Sequence, residues 1–302
     1  MAFGDAGHPL VAVDDVSFAV RRGATLGLVG ESGCGKSVTA LACMGLLPPA
    51  ATVLGGAVHL GATTLTSLRE PELCAVRGSD IAWSSRIRPA PSIRRTPSAF
   101  RSGSRSGSTG VVKRAAEAVA VDLLDLVGIR DPRRTVRSFP HQFSGGMLQR
   151  VAIAAALACE PSVLIADEPT TALDVTVQAE ILSLLRRLQS ELGMAIVLVT
   201  HDLGVIAEMC DDVVVMYAGQ VVERADVRSI FERPTHPYTQ ALLAAMPSPE
   251  HKGRPAVHRW SSPPLGAMPN GCRFACAAAR LEPSASRRSR SRRSPTGGSC
   301  GA

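Results

Sequence analysis

Lys36 and Ser37 close an eight-residue stretch, Gly30-Glu31-Ser32-Gly33-Cys34-Gly35-Lys36-Ser37, that fits the pattern G-x-x-x-x-G-K-[ST] at every fixed position. Residues of these types at this spacing cradle a phosphate chain. Glycines let successive backbone N–H groups point inward, and a helix starting at the end of the loop adds the positive end of its dipole. Lys36 can reach the outer phosphates and the Ser37 hydroxyl can ligate Mg²⁺. The cradle would be lined by Gly30, Ser32, Gly33, Cys34, Gly35, Lys36, Ser37 and Val38.

Asp167 and Glu168 are the second chemical feature. They end the apolar run Val163-Leu164-Ile165-Ala166. A carboxylate at the C-terminal edge of a parallel strand, beside such a loop, can hold Mg²⁺ through its water shell, which is the role expected of Asp167. Glu168 is then placed to polarise an attacking water as general base. Alone, two acids after a strand form a solvated edge or a helix cap as often as a site. His201 follows another apolar run, in Val199-Thr200-His201-Asp202. Parallel strand ends converge on one rim, so His201 is expected near the same phosphates, as a catalytic residue that could contact the last phosphate and orient the water. Ser144-Gly145-Gly146-Met147 precedes a helical stretch and could form a second phosphate-compatible turn. By itself it reads equally as an ordinary serine N-cap.

The elements that must position these residues follow from the hydrophobic pattern. Ala24–Val29 reads as a buried strand entering the loop, and Val38–Met44 as a helix leaving it. Val11–Val13 and Val16–Val20 read as strands, residues 51–66 as short strands, and Ser79–Trp83 as the start of another. Apolar residues recur at helical spacing over residues 111–127, and Gly128 closes that helix. Further helices are expected after Gly146 and over residues 175–190. Ala195–Val199 reads as a buried strand, and Val213–Tyr217 and Gln220–Glu223 as a hairpin around Ala218-Gly219. Strands alternating with helices give an α/β domain with a mainly parallel sheet.

Composition limits the partners. The chain has 302 residues and a formal net charge of +7. Six arginines lie in residues 84–110 and five in residues 284–293, with no acid in either segment. Without those eleven the rest of the chain carries −4, so the basic character does not belong to the folded body and no nucleic-acid partner is expected. No apolar run approaches the ~20 residues of a membrane span. The N-terminus lacks the pattern of a signal peptide. Cys34 inside the loop and seven scattered cysteines point to a reducing, cytosolic compartment.

Taken together the motifs resemble those of ATP-binding cassette (ABC) ATPases. Gly30–Ser37, Phe143–Arg150, Leu164–Pro169, Thr171-Ala172-Leu173-Asp174 and Thr200-His201-Asp202 stand in the order and spacing of the Walker A, signature, Walker B, D-loop and switch-histidine motifs. The resemblance covers residues 1 to about 247. His236–Leu243 is similar to a C-terminal segment of the oligopeptide, dipeptide and nickel importer subgroup. The resemblance implies a P-loop NTPase core, an N-terminal antiparallel β subdomain and an inserted helical subdomain at roughly residues 84–160. Residues 248–302 would form a largely disordered tail. It further implies that ATP and Mg²⁺ bind between Gly30–Ser37 of one cassette and Ser144, Gly145 and Gly146 of a second, same or paralogous, cassette. Asp174 would lie at that junction and Phe3 would stack on adenine. Two integral membrane permease subunits would couple hydrolysis to uptake of peptides or related solutes, with an extracytoplasmic solute-binding protein acting indirectly. The chain would lie peripherally on the cytoplasmic face of the membrane.

Two stretches depart from the family. After Ile81 a strand should run into Phe-Gln-Asp-Pro, whose glutamine touches Mg²⁺ and the attacking water. Here the chain reads Trp83-Ser84-Ser85-Arg86-Ile87-Arg88, with no glutamine or acid from Ser84 to Gly110. Codons for Trp83–Arg88 can be written so that starting one nucleotide earlier yields Met-Val-Phe-Gln-Asp-Pro. A frameshift compensated near Gly110 is therefore expected. The alternatives are a divergent insert and a degenerate subunit that binds ATP without coupling its hydrolysis. Gly271-Cys272-Arg273-Phe274 resembles the start of a cysteine-rich, iron–sulfur-binding tail, but Cys276 and Cys300 follow at unfamiliar spacing, and no cluster is expected.

Overall fold

The computed structural model describes residues 1–4, 9–85 and 110–246, together with 263–264, 266, 268–269 and 272–274. The segment expected to be a frameshifted insert lies outside the described residues from Arg86 to Thr109.

Aliphatic runs between turn residues build a six-stranded sheet. Its strands are β1 (Thr25–Val29), β2 (Ile81–Ser85), β3 (Val163–Asp167), β4 (Ala195–Thr200), β5 (Asp212–Tyr217) and β6 (Gln220–Asp226). Their order across the sheet is β6-β5-β1-β4-β3-β2. All pairings are parallel except the edge hairpin β5–β6. The helices α1 (Lys36–Cys43), α2 (Gly110–Leu126), α3 (Gly145–Ala156), α4 (Val175–Leu192), α5 (Leu203–Met209) and α6 (Pro237–Ala244) flank it. This is the mainly parallel α/β architecture that the sequence pattern predicts.

Alternate strand residues feed two separate cores, so both faces of the sheet are covered, as parallel sheets require. Ile196, Leu198, Val213 and Val215 pack with Ile181, Leu185 and Leu188 of α4 and with Ile153 of α3. Leu26, Leu28, Val197, Val199 and Val214 pack on the other side with Ala40 of α1 and with Cys34 and Met44. Register matters more to the site than this packing does. Val29 pairs with Thr200 and Val215, and Val199 pairs with Asp167. The central parallel strands therefore stop together, and whatever follows them emerges on one rim.

A small antiparallel sheet joins Ala2–Phe3 to Leu10–Val11 and to Ala51–Thr52, and His59–Leu60 pairs with Thr63–Thr64 as a hairpin. Val16–Val20, expected as a strand, is not one. Val16, Phe18 and Val20 pack partly buried against the second core. Their inward alternation produces the strand pattern, but among the described residues no neighbouring strand pairs with them.

Ser84 on β2 is 1% exposed and its hydroxyl has no hydrogen-bond partner among the described residues. An unpaired buried hydroxyl costs about 1–3 kcal/mol. The shifted frame expected above would place valine here, which would satisfy an apolar slot. Ser84→Val should therefore raise the melting temperature by about 2–4 °C per kcal/mol recovered, read by scanning calorimetry. An unchanged or lower value would mean that the slot suits a hydroxyl.

Candidate functional site

The loop Gly30–Gly35 connects β1 to α1, and its glycines meet two different demands. Gly35 caps α1 in the left-handed region at φ 102°. At Gly30 a Cβ would lie 2.2 Å from the Met216 carbonyl oxygen, so only glycine lets the loop leave the sheet beside β5. Cys34 is fully buried in the second core, and burial pushes its thiol pKa up. Its backbone N–H donates to the Glu31 carbonyl at 3.3 Å. Ser32, Gly33 and Ser37 are exposed at the mouth, and Val38 is half-buried.

Lys36 is 6% exposed, and its ammonium donates to the Gly30 and Glu31 carbonyls at 2.7 and 2.8 Å. One turn of helix thus holds a positive charge against the loop's own backbone. Next to it, the Ser37 hydroxyl donates to Asp167 Oδ1 at 3.0 Å. That bond joins α1 to the end of β3, 130 residues apart in sequence. Burial raises the Asp167 pKa from its ordinary value. The Ser37 hydrogen bond and the Lys36 charge pull it down, while the Glu168 charge adds to the rise.

Glu168 adopts φ 50°, a left-handed conformation uncommon for a non-glycine residue. Its N–H donates to the Val199 carbonyl at 2.8 Å, so the sheet holds the turn. One carboxylate oxygen lies 3.1 Å from His201 Nδ1, and the other accepts from the Thr171 hydroxyl at 3.2 Å. The structure thus brings together Lys36, Ser37 and Asp167, and joins Glu168 to His201. In the sequence Thr171 carries no signal beyond its place in the Thr171–Asp174 motif. Asp202 caps α5 through the N–H groups of Gly204 and Val205.

Ser144, Gly145, Gly146 and Asp174 form a separate group. Ser144 caps α3 by accepting from the Met147 N–H at 3.3 Å, and Asp174 caps α4 by accepting from the Val177 N–H at 2.9 Å. A Cβ on Gly146 would fall 2.6 Å from Val177 Cγ1, so the glycine lets the two helix starts touch. Phe3 is half-buried in the small antiparallel sheet. That sheet leads through Leu10–Val11 to Ala12 and Val13, which pack on Gly35.

A family profile described as ABC transporter matches residues 13–171, and one described as oligopeptide/dipeptide transporter, C-terminal region, matches residues 222–280. The chain belongs to the ABC transporter family. The cassette is 44% identical over 282 residues to the dipeptide transport ATP-binding protein DppD of Bacillus subtilis, covering 91% of this chain and 83% of that one. It is 45% identical over 276 residues to DppD of Escherichia coli, covering 89% and 83%. Among solved structures, the dimeric ATP-binding cassette MJ0796 bound to ADP and Pi matches with a TM-score of 0.60 at 26% identity, over 75% of this chain and 95% of that one. CbiO1 of Clostridium perfringens, part of the ABC transporter complex CbiONQ, matches with a TM-score of 0.59 at 26% identity, over 77% and 89%. The ABC cassette described above is an ATP-binding, ATP-hydrolysing domain. Among its described residues no helix is long and apolar enough to cross a membrane.

Because burial raises the folded-state pKa of Asp167, its ionisation opposes folding of the free cassette. The native chain binds the proton more tightly than the unfolded one, so this group's stabilising share is complete below the unfolded pKa and lost as pH rises through the folded value. Asp167→Asn should therefore raise the melting temperature at pH 7.5, with the gain shrinking as pH falls through the folded pKa. Thermal unfolding across pH checks this; a gain that grew toward low pH would contradict it.

Proposed function

We propose that this chain is the ATP-hydrolysing subunit of an importer for peptides or related solutes. It would work as one of a pair of cassettes on two integral membrane permease subunits, at the cytoplasmic face. An extracytoplasmic solute-binding protein would deliver the solute to the permeases. The likeness to dipeptide transport ATP-binding proteins supports the solute class. The match over residues 222–280 supports the subgroup. The observation that carries the enzymatic reading is the contact between Glu168 and His201, on the rim that also holds Lys36, Ser37 and Asp167.

The geometry supports the following roles. Lys36 exchanges loop carbonyls for the outer phosphates of ATP, while the loop amides and the start of α1 receive the rest of the phosphate chain. Ser37 Oγ and Asp167 Oδ1, 3.0 Å apart, are two hard oxygen donors beside a second carboxylate, a set that fits Mg²⁺. Ser37 and Asp167 would hold the ion, which supplies charge neutralisation for the phosphates. Glu168 accepts the proton of the attacking water as the new P–O bond forms and ADP departs with the electrons of the old one. His201 and Thr171, one on each carboxylate oxygen, keep Glu168 aimed. Phe3 stacks on adenine. The exposed Ser144–Gly145 turn and the nearby Asp174 serve the nucleotide of the opposite cassette in the pair. MJ0796, whose cassette is dimeric with ADP and Pi, supports that pairing. No observation favours the degenerate reading, since base and switch histidine are in contact.

Glu168→Gln keeps the shape and the contacts but cannot take a proton. Phosphate release by the purified cassette should fall by at least ~100-fold, while ATP affinity stays within a few-fold and ATP-bound dimers accumulate in size-exclusion chromatography. Unchanged turnover would remove Glu168 from the role of base.

A further inference from the structure

The phosphate loop is gripped from behind by residues that the reaction does not use. Tyr238 on α6 is fully buried, and its hydroxyl accepts a hydrogen bond from the Glu31 backbone N–H at 3.1 Å. The carbonyl of that same peptide plane belongs to Gly30 and accepts from Lys36 at 2.7 Å. In a trans peptide the N–H and C=O point in opposite directions. One peptide is therefore clamped between Tyr238 on one side and the phosphate-binding lysine on the other.

Tyr238 is itself held. Glu223 on β6 accepts from the Thr235 N–H at 2.7 Å and from the His236 N–H at 3.0 Å, which fixes the start of α6. The Tyr217 ring lies 4.7 Å from that of Tyr238, and Phe274 closes the group at 5.1 Å from Tyr217 and 5.6 Å from Tyr238. Phe274 is 2% exposed and Arg273 is 6% exposed. Arg273 donates to the Ala218 carbonyl and, at 3.3 Å, to Asp14 Oδ2. The Gly219 N–H of that hairpin turn donates to the Cys34 carbonyl at 2.9 Å, back in the phosphate loop. The C-terminal residues 273 and 274 thus reach the loop by two routes, one through Tyr238 and one through the β5–β6 turn.

We propose that Tyr238 is a positioning residue for nucleotide binding, held in place by an Arg273–Phe274 clasp. The hydroxyl sets the orientation of the Gly30–Glu31 peptide and so the resting place of the Lys36 ammonium. The clasp sets Tyr238, so seating of the C-terminal segment tunes ATP affinity. This rests on the reading that ATP occupies the Gly30–Ser37 loop.

Tyr238→Phe removes the hydroxyl and keeps the ring. In the full-length chain it should raise the ATP dissociation constant and KM about five- to tenfold, the effect of one hydrogen bond. The value of kcat should stay within about twofold, and the Glu31 amide should exchange hydrogen faster. Phe274→Leu, with the hydroxyl intact, should shift KM the same way, and the double variant should fall short of the product of the two. A KM and an amide exchange rate unchanged in Tyr238→Phe would overturn the proposal, as would a fall in kcat as large as the rise in KM. Should Tyr238→Phe fail to fold, Phe274→Leu alone decides: a raised KM with unchanged kcat supports the clasp, and an unchanged KM overturns it. A wild-type chain that bound no ATP would overturn the functional reading and this proposal with it, whereas normal wild-type binding with an indifferent Tyr238→Phe overturns the proposal alone.

Discussion

Everything at this site depends on the alignment of neighbouring parallel strands. Val29, Thr200 and Val215 lie opposite one another, with Asp167 opposite Val199. The side-chain period of a strand is two, so a slip by one residue would send every core residue to the opposite face, against helices it does not fit, and carry each rim residue away with it. Burial on both faces forbids that slip. The aliphatic content of β1, β4 and β5 therefore fixes more than stability: it decides that Lys36, Ser37, Asp167, Glu168 and His201 meet.

The rim concentrates charge at a cost. Asp167 and Glu168 are consecutive acids, and burial makes the first of them reluctant to ionise. Lys36 and Ser37 offset part of that penalty within the chain. A group that brings further positive charge offsets more, so binding there is coupled to relief of an unfavourable arrangement. The left-handed turn at Glu168 has the same character, since the sheet bond to Val199 and the contacts with Thr171 and His201 hold a conformation that the residue would not choose alone.

Local chemistry makes most of this legible in the sequence. The glycine loop is eight contiguous residues, and its strand and helix neighbours carry unbroken apolar patterns. The acids and the histidine each terminate such a run, so parallel topology alone predicts their convergence. What was not legible depends on distant partners. Tyr238 meets Glu31 across 207 residues, and nothing in Pro237-Tyr238-Thr239 says which backbone group its hydroxyl will meet. Arg273 and Phe274 lie in a stretch without periodicity, and they are buried by distant partners, the β5–β6 turn for Arg273 and the Tyr217 and Tyr238 rings for Phe274. Val16–Val20 failed in the opposite sense. Its alternation is real, but a strand needs a neighbour to pair with, and alternation carries no information about one. The serine turn at Ser144 read equally well as a helix cap, and within one chain it is a cap.

The most direct test of the account is a crystal structure of the cassette with Mg²⁺ and a non-hydrolysable ATP analogue. The triphosphate should lie in the Gly30–Ser37 loop with the Lys36 ammonium on its outer phosphates and the last phosphorus facing Glu168 and His201. A triphosphate bound elsewhere, or one whose last phosphorus faced away from Glu168, would contradict it.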